Sequence, residues 1–380
     1  MARLPVEISS EIFMQCLASL PLPKGGIAPM LFLGVCRLWN DIALSTPALW
    51  TIHSTTPTPS GFGPLFETWL SRARSLPLSV SLDGHISAEV SAVLKKHAPQ
   101  LRVLELVLES PKQREEMIAT SFPALEILSI QDTRRGGNSF LWGCVEIMRA
   151  APALRDCEFT SMMEEQSIRP YEDPLHLTHS SLRQLRFGRP KDDGESRDRD
   201  LRNSAKLLNF LTLPALEILL DISNAHFLSF LGRSSPPLQS LHIKMYPDGG
   251  VEFKLDWLQL VPGLVCFTLD LDNFVGYPIP VLDRMARDDN LLPNLHHLTI
   301  TCWPALDEGY KDLIRVITSR GRRTGLESFQ LIFPFISLGP GEYLRECAEH
   351  KPHNEDIDSL QLCVEKGTRI HIGPEWKNYI

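Results

Sequence analysis

The histidine pairs come nearest to a metal-binding pattern in this sequence. Three pairs are close in sequence, namely His176 and His179, His296 and His297, and His350 and His353. A protein metal site usually combines three or four ligands, with cysteine or carboxylate partners at short spacings. None of the pairs has such a partner at a ligand-like spacing. We therefore expect no metal site.

Nucleophilic or phosphate chemistry would require a recognisable motif, and the sequence lacks one. It contains no Gly-x-Ser-x-Gly, no His-Glu-x-x-His and no phosphate-binding glycine loop, and Gly61-Phe62-Gly63 has the composition of a turn. Cys36 and Cys302 offer thiols, but the sequence assigns no base to either. We expect no catalytic residue and no bound cofactor. The protein is therefore expected to act by binding a partner.

Length, charge and cysteine usage narrow the class of protein. The chain has 380 residues, 43% of them hydrophobic, and a net charge of -8, which predicts a folded protein with more than one core and disfavours nucleic acid as a partner. We expect no membrane span, because no apolar run is long enough, and no signal peptide, because Glu7 and Glu11 interrupt the apolar start. The eight cysteines form no Cys-x-x-Cys pair, which indicates an intracellular protein, cytoplasmic or nuclear, with cysteines as small buried apolar residues.

The first fifty residues have the pattern of a small helical unit. Leu4-Pro5 is a typical helix start, because proline fits the first helical turn. Two apolar stripes follow at helical spacing: Ile8, Ile12, Cys16 and Leu20, and then, in a stretch broken near Gly34, Leu31, Val35, Leu38 and Ile42. A unit of this size buries only part of these side chains, so the pattern predicts a partner surface.

These residues resemble the F-box, a helical docking module. The resemblance rests on four submotifs in order: Leu4-Pro5-x-Glu7-Ile8, Ile12-Phe13, Val35-Cys36-Arg37-x-Trp39 and Pro47-x-Leu49-Trp50. The chain is similar to the F-box proteins of mushroom-forming fungi, which often continue with segments like Trp69-Leu70-Ser71-Arg72-Ala73 and Pro77-Leu78-Ser79. The resemblance implies a three-helix F-box over residues 1–50. It also implies that the contacts to a Skp-family adaptor come from Leu4, Pro5, Ile8, Ile12, Phe13, Val35, Trp39 and Trp50. A helix bundle that only caps the next domain is the alternative.

One pattern, Pro-x-Leu-x-x-Leu-x-Leu, dominates the rest of the chain. Its nine copies start at Leu101, Leu125, Leu154, Leu182, Leu216, Leu238, Leu264, Leu295 and Leu326. Their mean spacing of about 28 residues is typical of leucine-rich repeats, each giving one strand and one return. The predicted fold is α/β: after the F-box, a linker and cap (51–94), a leucine-rich-repeat solenoid with an inner parallel sheet (95–335) and a second cap (336–380). A short βαβ domain with coincidental leucines is the alternative.

The residues between the leucines of each strand are expected to form a binding surface, because side chains alternate between the two faces of a strand. On the inner face we expect Glu105, Gln131, Glu158, Arg186, His242, Lys244, Thr268, Asp270, Thr299, Thr301 and Gln330. The candidate substrate contacts among them are Glu105, Glu158, Arg186, His242, Lys244 and Asp270. Three of these, Arg186, His242 and Lys244, predict a positive zone that suits an acidic segment. An ordinary solvated position is the alternative for each.

Two further segments complete the predicted organisation. Residues 188–203 contain five positive and five negative side chains, typical of an exposed inserted loop. Residues 357–362 and 368–372 alternate in polarity and predict two strands that close the edge of the sheet.

The resemblance implies a non-catalytic function. The F-box would bind the Skp-family adaptor and the cullin of an SCF-type ubiquitin ligase, and the repeats would bind a protein substrate. The alternatives are a repeat scaffold without a role in ubiquitination and a receptor for a small ligand. Copurification of the cullin with the adaptor would separate the scaffold from the ligase subunit.

Overall fold

The chain forms two compact units, Met1–Leu182 and Arg183–Ile380. The computed structural model describes residues 4–17, 26–55, 62–84, 86–108, 117, 119–132, 141–160, 176–188, 206–223, 226–244, 256–275, 279–288, 290–303, 309–323, 325–334, 347 and 350–380. The predicted loop at 188–203 lies outside these residues, apart from Gly188.

The first unit begins with helices and continues with alternating strands and helices. Its helices are α1 (Val6–Gln15), α2 (Met30–Val35), α3 (Arg37–Ser45), α4 (Phe62–Arg72), α5 (Ala88–His97) and α6 (Leu141–Ala150). Its strands are β1 (Ile52–Thr55), β2 (Leu78–Leu82), β3 (Leu101–Leu108), β4 (Ile127–Asp132), β5 (Asp156–Thr160) and the two-residue β6 (Leu177–Thr178). Short 3₁₀ turns lie at Pro47–Trp50 and Ala98–Gln100.

The second unit repeats this alternation. Its strands are β7 (Gln184–Gly188), β8 (Leu211–Thr212), β9 (Ile218–Ser223), β10 (Ser240–Lys244), β11 (Cys266–Val275), β12 (His297–Trp303), β13 (Ser328–Ile332) and β14 (Arg369–Gly373). Its helices are α7 (Phe227–Ser234), α8 (Ile279–Arg287), α9 (Gly309–Arg323) and α10 (Asn354–Glu365), with 3₁₀ turns at Leu208–Phe210 and Asp256–Leu260.

The strands of each unit form a parallel ladder in chain order. In the first unit the order is β1, β2, β3, β4 and β5, and every neighbouring pair is parallel. In the second unit the order is β7, β9, β10, β11, β12, β13 and β14, again parallel throughout. The predicted α/β class and parallel pairing are therefore confirmed, and each of the nine leucine copies supplies one of these strands.

The core forms because every copy buries the same positions. The first leucine of each of the nine copies is buried, and the fourth and sixth positions are buried too, with one exception at Asp221. The return segments bury apolar residues at helical spacing, such as Val145 and Met148 of α6 or Phe227 and Leu231 of α7. The leucines of the strands and the apolar residues of the return segments bury each other. A strand or a return segment alone would leave its apolar residues exposed.

A bulge at Asp221 accommodates the one polar residue at a core position. The ladder between β9 and β10 pairs Leu219 with Leu241 and then Ile222 with Ile243, so β9 carries one extra residue at this point. Asp221 has a φ of 57°, which lies in the left-handed region. The extra residue turns the carboxylate away from the leucines and places fully buried Ile222 in the core instead.

Two secondary-structure predictions are wrong. Phe62 and Gly63, expected in a turn, begin helix α4. Residues 357–362 were expected to form a strand, but they lie within helix α10. This helix buries Leu360 and Cys363, which are three positions apart, and exposes Leu362. Acidic Glu355 and Asp356 occupy its first turn, where they complement the helix dipole. The alternation in the sequence is therefore coincidental here, whereas the second segment does form strand β14.

A buried arginine stabilises the second unit. Arg320 of α9 is 1% exposed, and its guanidinium donates hydrogen bonds to the carbonyl oxygens of Met285, Asp288 and Leu292 at 2.9 to 3.2 Å. Two of these carbonyls lie at the end of α8, where backbone acceptors have no helical partner. The Asp288 and Leu292 carbonyls also accept the N–H groups of Leu291 and Leu295 at 3.2 Å, so the guanidinium adds further bonds that tie α9 to the end of α8 and the segment after it.

Candidate docking surfaces

The helices α1, α2 and α3 present a large share of the exposed apolar side chains. Among the described residues, nine of the 17 exposed large hydrophobic side chains lie between residues 4 and 44. They are Leu4, Val6, Ile8, Ile12, Leu31, Val35, Leu38, Trp39 and Leu44. We call these nine side chains the apolar surface. Such a density of exposed hydrophobic side chains is typical of a surface that binds a partner.

An aromatic cluster joins the three helices that carry the apolar surface. The rings of Phe13 and Phe32 stack with centroids 4.0 Å apart, and Trp39 lies 5.1 Å from Phe13 and 6.0 Å from Phe32. These three rings join α1, α2 and α3, and the Asn40 side-chain amide also bonds the Leu33 carbonyl at 3.0 Å. Both phenylalanines are 3% exposed, whereas Trp39 is 38% exposed and belongs to the cluster and to the surface.

The structure separates the eight predicted adaptor contacts into two groups. Leu4, Pro5, Ile8, Ile12, Val35 and Trp39 are exposed. Phe13 and Trp50 are buried, so the structure places both in the core and not on the exposed surface. Trp50 lies beside Trp69 at 5.1 Å, donates its indole N–H to the Ala43 carbonyl at 2.9 Å and is covered by the Arg72 guanidinium at 4.4 Å. Large aromatic rings are retained in the core here because a small helical unit has few other groups to fill it.

Sequence reasoning missed four members of the apolar surface as contacts. Leu31 and Leu38 belonged to the recognised helical stripe, so their spacing was visible, but their exposure was not. Val6 and Leu44 gave no comparable signal. Helix α3 begins after Cys36, whose φ of −162° is extended, so the stripe of the second stretch runs over two helices rather than one. This break, and not the spacing, decides which side chains point outward.

The ladder of the first unit presents a row of hydroxyl and carboxylate side chains on the face opposite the leucines. The register aligns Ser54, Ser81, Glu105, Ser129 and Glu158 on the five successive strands. Glu105 is exposed and Glu158 is half-buried. The structure therefore brings the two predicted acidic contacts into one row, two strands apart.

The corresponding row of the second unit consists of groups that form hydrogen bonds. The register aligns His242, Thr268, Thr299, Gln330 and His371 across β10 to β14. His242 also lies 3.1 Å from the Asp221 carboxylate, measured from Nδ1 to Oδ1. The bulge at Asp221 positions its carboxylate beside the His242 imidazole. The side chain that was predicted to be positive therefore lies next to a negative charge.

Lys244 and Asp270 are not solvent-facing residues. They are 3% and 4% exposed, and the register places them at adjacent positions of β10 and β11. The structure therefore places these opposite charges in the interior of the unit, and the assignment of the two residues as substrate contacts stays a prediction. Arg186 is half-buried. The predicted positive zone is thus much weaker than the sequence indicated.

Seven of the eight cysteines are either exposed or buried, and Cys266 is intermediate. Cys16 and Cys36 are exposed, contrary to the expectation of buried thiols, and Cys144, Cys157, Cys302, Cys347 and Cys363 are buried. Burial, with a contribution from the nearby Asp270 carboxylate, raises the pKa of Cys302 to about 12. Burial also raises the pKa of Cys157. The two buried strand thiols are therefore protonated and unreactive at neutral pH.

The described part of the chain contains neither a metal-binding cluster nor a helix that could span a membrane. In the ranges given above, no group of three or more His, Cys, Asp and Glu side chains could hold a metal ion. Within the same part of the chain, no helix combines the length and the apolar character needed to cross a bilayer.

No protein-family model matches the chain, and no curated protein matches it.

Proposed function

We propose that the chain is a non-catalytic recognition subunit of an SCF-type ubiquitin ligase. In this proposal residues 1–50 form an F-box that binds the Skp-family adaptor, and through it the cullin. The repeating strands that follow form a leucine-rich-repeat solenoid that binds a protein substrate. Ubiquitin transfer takes place on other subunits, and this chain raises the local concentration of substrate.

The observation that carries the proposal is the apolar surface. Leu4 is 62% exposed, Ile8 is 50% exposed and Val35 is 49% exposed, although each belongs to a submotif that resembles the F-box. Complete burial of such a side chain contributes roughly 1.5 to 3 kcal/mol, and these are about half exposed, so a partner that covers them gains roughly half of that for each. The aromatic cluster beneath holds the three helices in one arrangement and thereby limits the ordering cost of binding.

The double substitution Leu4→Ala and Pro5→Ala tests the docking. Both residues are exposed and precede α1, so their removal leaves the aromatic cluster untouched. Loss of an interface anchor costs about 2 kcal/mol or more, which is over tenfold in affinity. We expect the variant to lose copurification of the Skp-family adaptor while its melting temperature stays close to that of the unmodified chain.

Leu228→Ala is the matched control. Leu228 is a similarly exposed leucine, on α7 in the second unit. We expect this variant to retain the adaptor. Full adaptor binding by a folded Leu4→Ala, Pro5→Ala variant would contradict the F-box assignment.

A further inference from the structure

Strand β14 ends the ladder of the second unit, and residues 374–380 cover its outer edge. Among the described strands, β14 pairs only with β13. The N–H and C=O groups of Ile370 and Ile372 point away from β13, as alternate residues of a strand do. An edge strand with free groups of this kind is a template for pairing with another chain.

The side chain of Asn378 takes the position of a missing strand. Its Nδ2 donates to the Ile370 carbonyl oxygen at 2.9 Å, and its Oδ1 accepts from the Ile372 N–H at 2.8 Å. In a parallel ladder, one residue of the added strand bonds the carbonyl and the N–H that flank a single residue of its neighbour. The Asn378 amide forms the same two bonds on either side of His371. The backbone N–H of Tyr379 adds a third bond, to the Ile372 carbonyl oxygen at 2.9 Å.

Gly373 permits the chain to turn back over this edge. Its φ is 135°, a conformation that side chains disfavour, and a Cβ here would lie 2.4 Å from the Lys377 carbonyl oxygen. The turn is closed by a bond from the Lys377 N–H to the Pro374 carbonyl at 3.0 Å. The Tyr379 ring then packs near Phe333, with centroids 6.1 Å apart. Residues 374–380 therefore hold the Asn378 amide at the edge through several independent contacts.

We propose that residues 374–380 are an edge guard, and that displacing the guard opens β14 to a second copy of this chain. The strand favours self-pairing, because an antiparallel β14 pair centred on His371 places Ile370 opposite Ile372. The same arrangement places exposed Arg369 opposite Gly373, which has no side chain, so no like charges face each other there. The Asn378 amide occupies the groups that such a pair requires, and the guarded chain does not associate through this edge.

Asn378→Ala tests the proposal in the chain of 380 residues. The substitution removes the two bonds to β14 and the bond that Asn378 Oδ1 accepts from the Ile380 N–H at 3.3 Å, and it retains the backbone bond from the Tyr379 N–H to β14. We expect sedimentation velocity to show a concentration-dependent increase in mass beyond that of the unmodified chain. We also expect at least tenfold faster hydrogen exchange of the Ile372 amide at low concentration, with protection regained at high concentration. Glu375→Ala, at an exposed position of the same segment, is the matched control and should behave like the unmodified chain.

Asn378→Asp provides a second variant that keeps the acceptor for the Ile372 N–H and replaces the donor to Ile370 by a second carboxylate oxygen, which repels the Ile370 carbonyl oxygen. We expect it to associate more strongly than the control. If both Asn378 variants are folded by circular dichroism and show the same mass as the unmodified chain at every concentration, the proposal is wrong. An increase in mass without renewed protection of the Ile372 amide would also overturn it, because association would then involve another surface.

Discussion

The rings of Phe13 and Phe32 stack at 4.0 Å with only 12° between their planes, and this contact joins α1 to α2. Phe13 is adjacent in sequence to Ile12, which is 46% exposed. These two neighbouring residues of α1 therefore differ in role. Phe13 fixes the arrangement of the helices, whereas Ile12 belongs to the apolar surface. This relationship lets stability and docking be measured separately.

Phe13→Ala and Ile12→Ala should have contrasting effects. Truncating a buried phenylalanine removes its burial and leaves a cavity, so we expect Phe13→Ala to lower the free energy of unfolding by about 3 kcal/mol. Ile12→Ala should change it by less than about 0.5 kcal/mol, because the side chain is exposed. Urea unfolding measures both values. Equal stability losses in the two variants would contradict the division between core and surface.

Lys244→Glu should destabilise the second unit rather than alter its binding alone. The new carboxylate would be buried next to the position of Asp270, and an uncompensated buried charge costs about 3 kcal/mol or more. We expect a lower urea midpoint. Glu105→Arg reverses the charge at an exposed strand position and is the matched comparison, with little change in midpoint. If the Glu105→Arg variant lost copurified substrates but retained the adaptor, the substrate contacts would lie in the first unit.

His53 should make the first unit sensitive to acid. Its side chain is 1% exposed and packs against Phe66 at 4.9 Å and Trp69 at 5.0 Å. Among the residues that the structure describes, neither ring nitrogen has a hydrogen-bond partner. Burial lowers its pKa from 6.5 to about 4.

The direction of the acid effect follows from proton uptake. The unfolded chain binds a proton at His53 below about pH 6.5, whereas the folded chain resists protonation until about pH 4, so stability is lost as the pH falls between these values. The loss should approach roughly 3 kcal/mol. His53→Phe should remove this part of the pH dependence, measured by urea unfolding at pH 7 and pH 4.5. An unchanged difference between the two pH values would refute the assignment to His53.

Arg320→Met should destabilise the second unit although it removes no surface charge. The substitution removes the bonds from the guanidinium to the carbonyls of Met285, Asp288 and Leu292, of which the last two keep a backbone donor. Hydrogen bonds that involve a charged group contribute about 1.5 to 3 kcal/mol each. We expect a loss of at least about 3 kcal/mol in urea unfolding. Arg320→Lys should recover little, because one ammonium lacks the planar fork that reaches three acceptors. Full recovery with lysine would show that charge alone matters here.

Thiol labelling should distinguish the two classes of cysteine. Cys16 and Cys36 are exposed, so we expect both to react with iodoacetamide in the folded chain, identified by peptide mass mapping. Cys157 and Cys302 should react only after unfolding, because burial shields them and raises the pKa of each thiol. Labelling of Cys302 in the folded chain at neutral pH would contradict its buried position.

The sequence by itself determined the strands of the repeating region. Leucines at fixed offsets recur nine times, and each first leucine is buried in the structure. A pattern repeated this often constrains the fold, because each copy must bury the same face against its neighbours. The exposed character of Leu4 and Ile8 was expected on similar grounds, since a short helical unit cannot enclose all its apolar residues.

Only the tertiary structure decided which residues of each pattern reach solvent. The sequence could not place Phe13 inside and Ile12 outside, because adjacent helical residues differ by only about 100° and packing chooses the face. It could not show that Lys244 and Asp270 are buried neighbours, because strand register joins residues 26 positions apart. The sequence also led to the wrong prediction of a strand at residues 357–362, because six residues carry too little periodicity to exclude a helix. Local spacing specifies the repeated elements, whereas burial and charge pairing depend on contacts between segments distant in the chain.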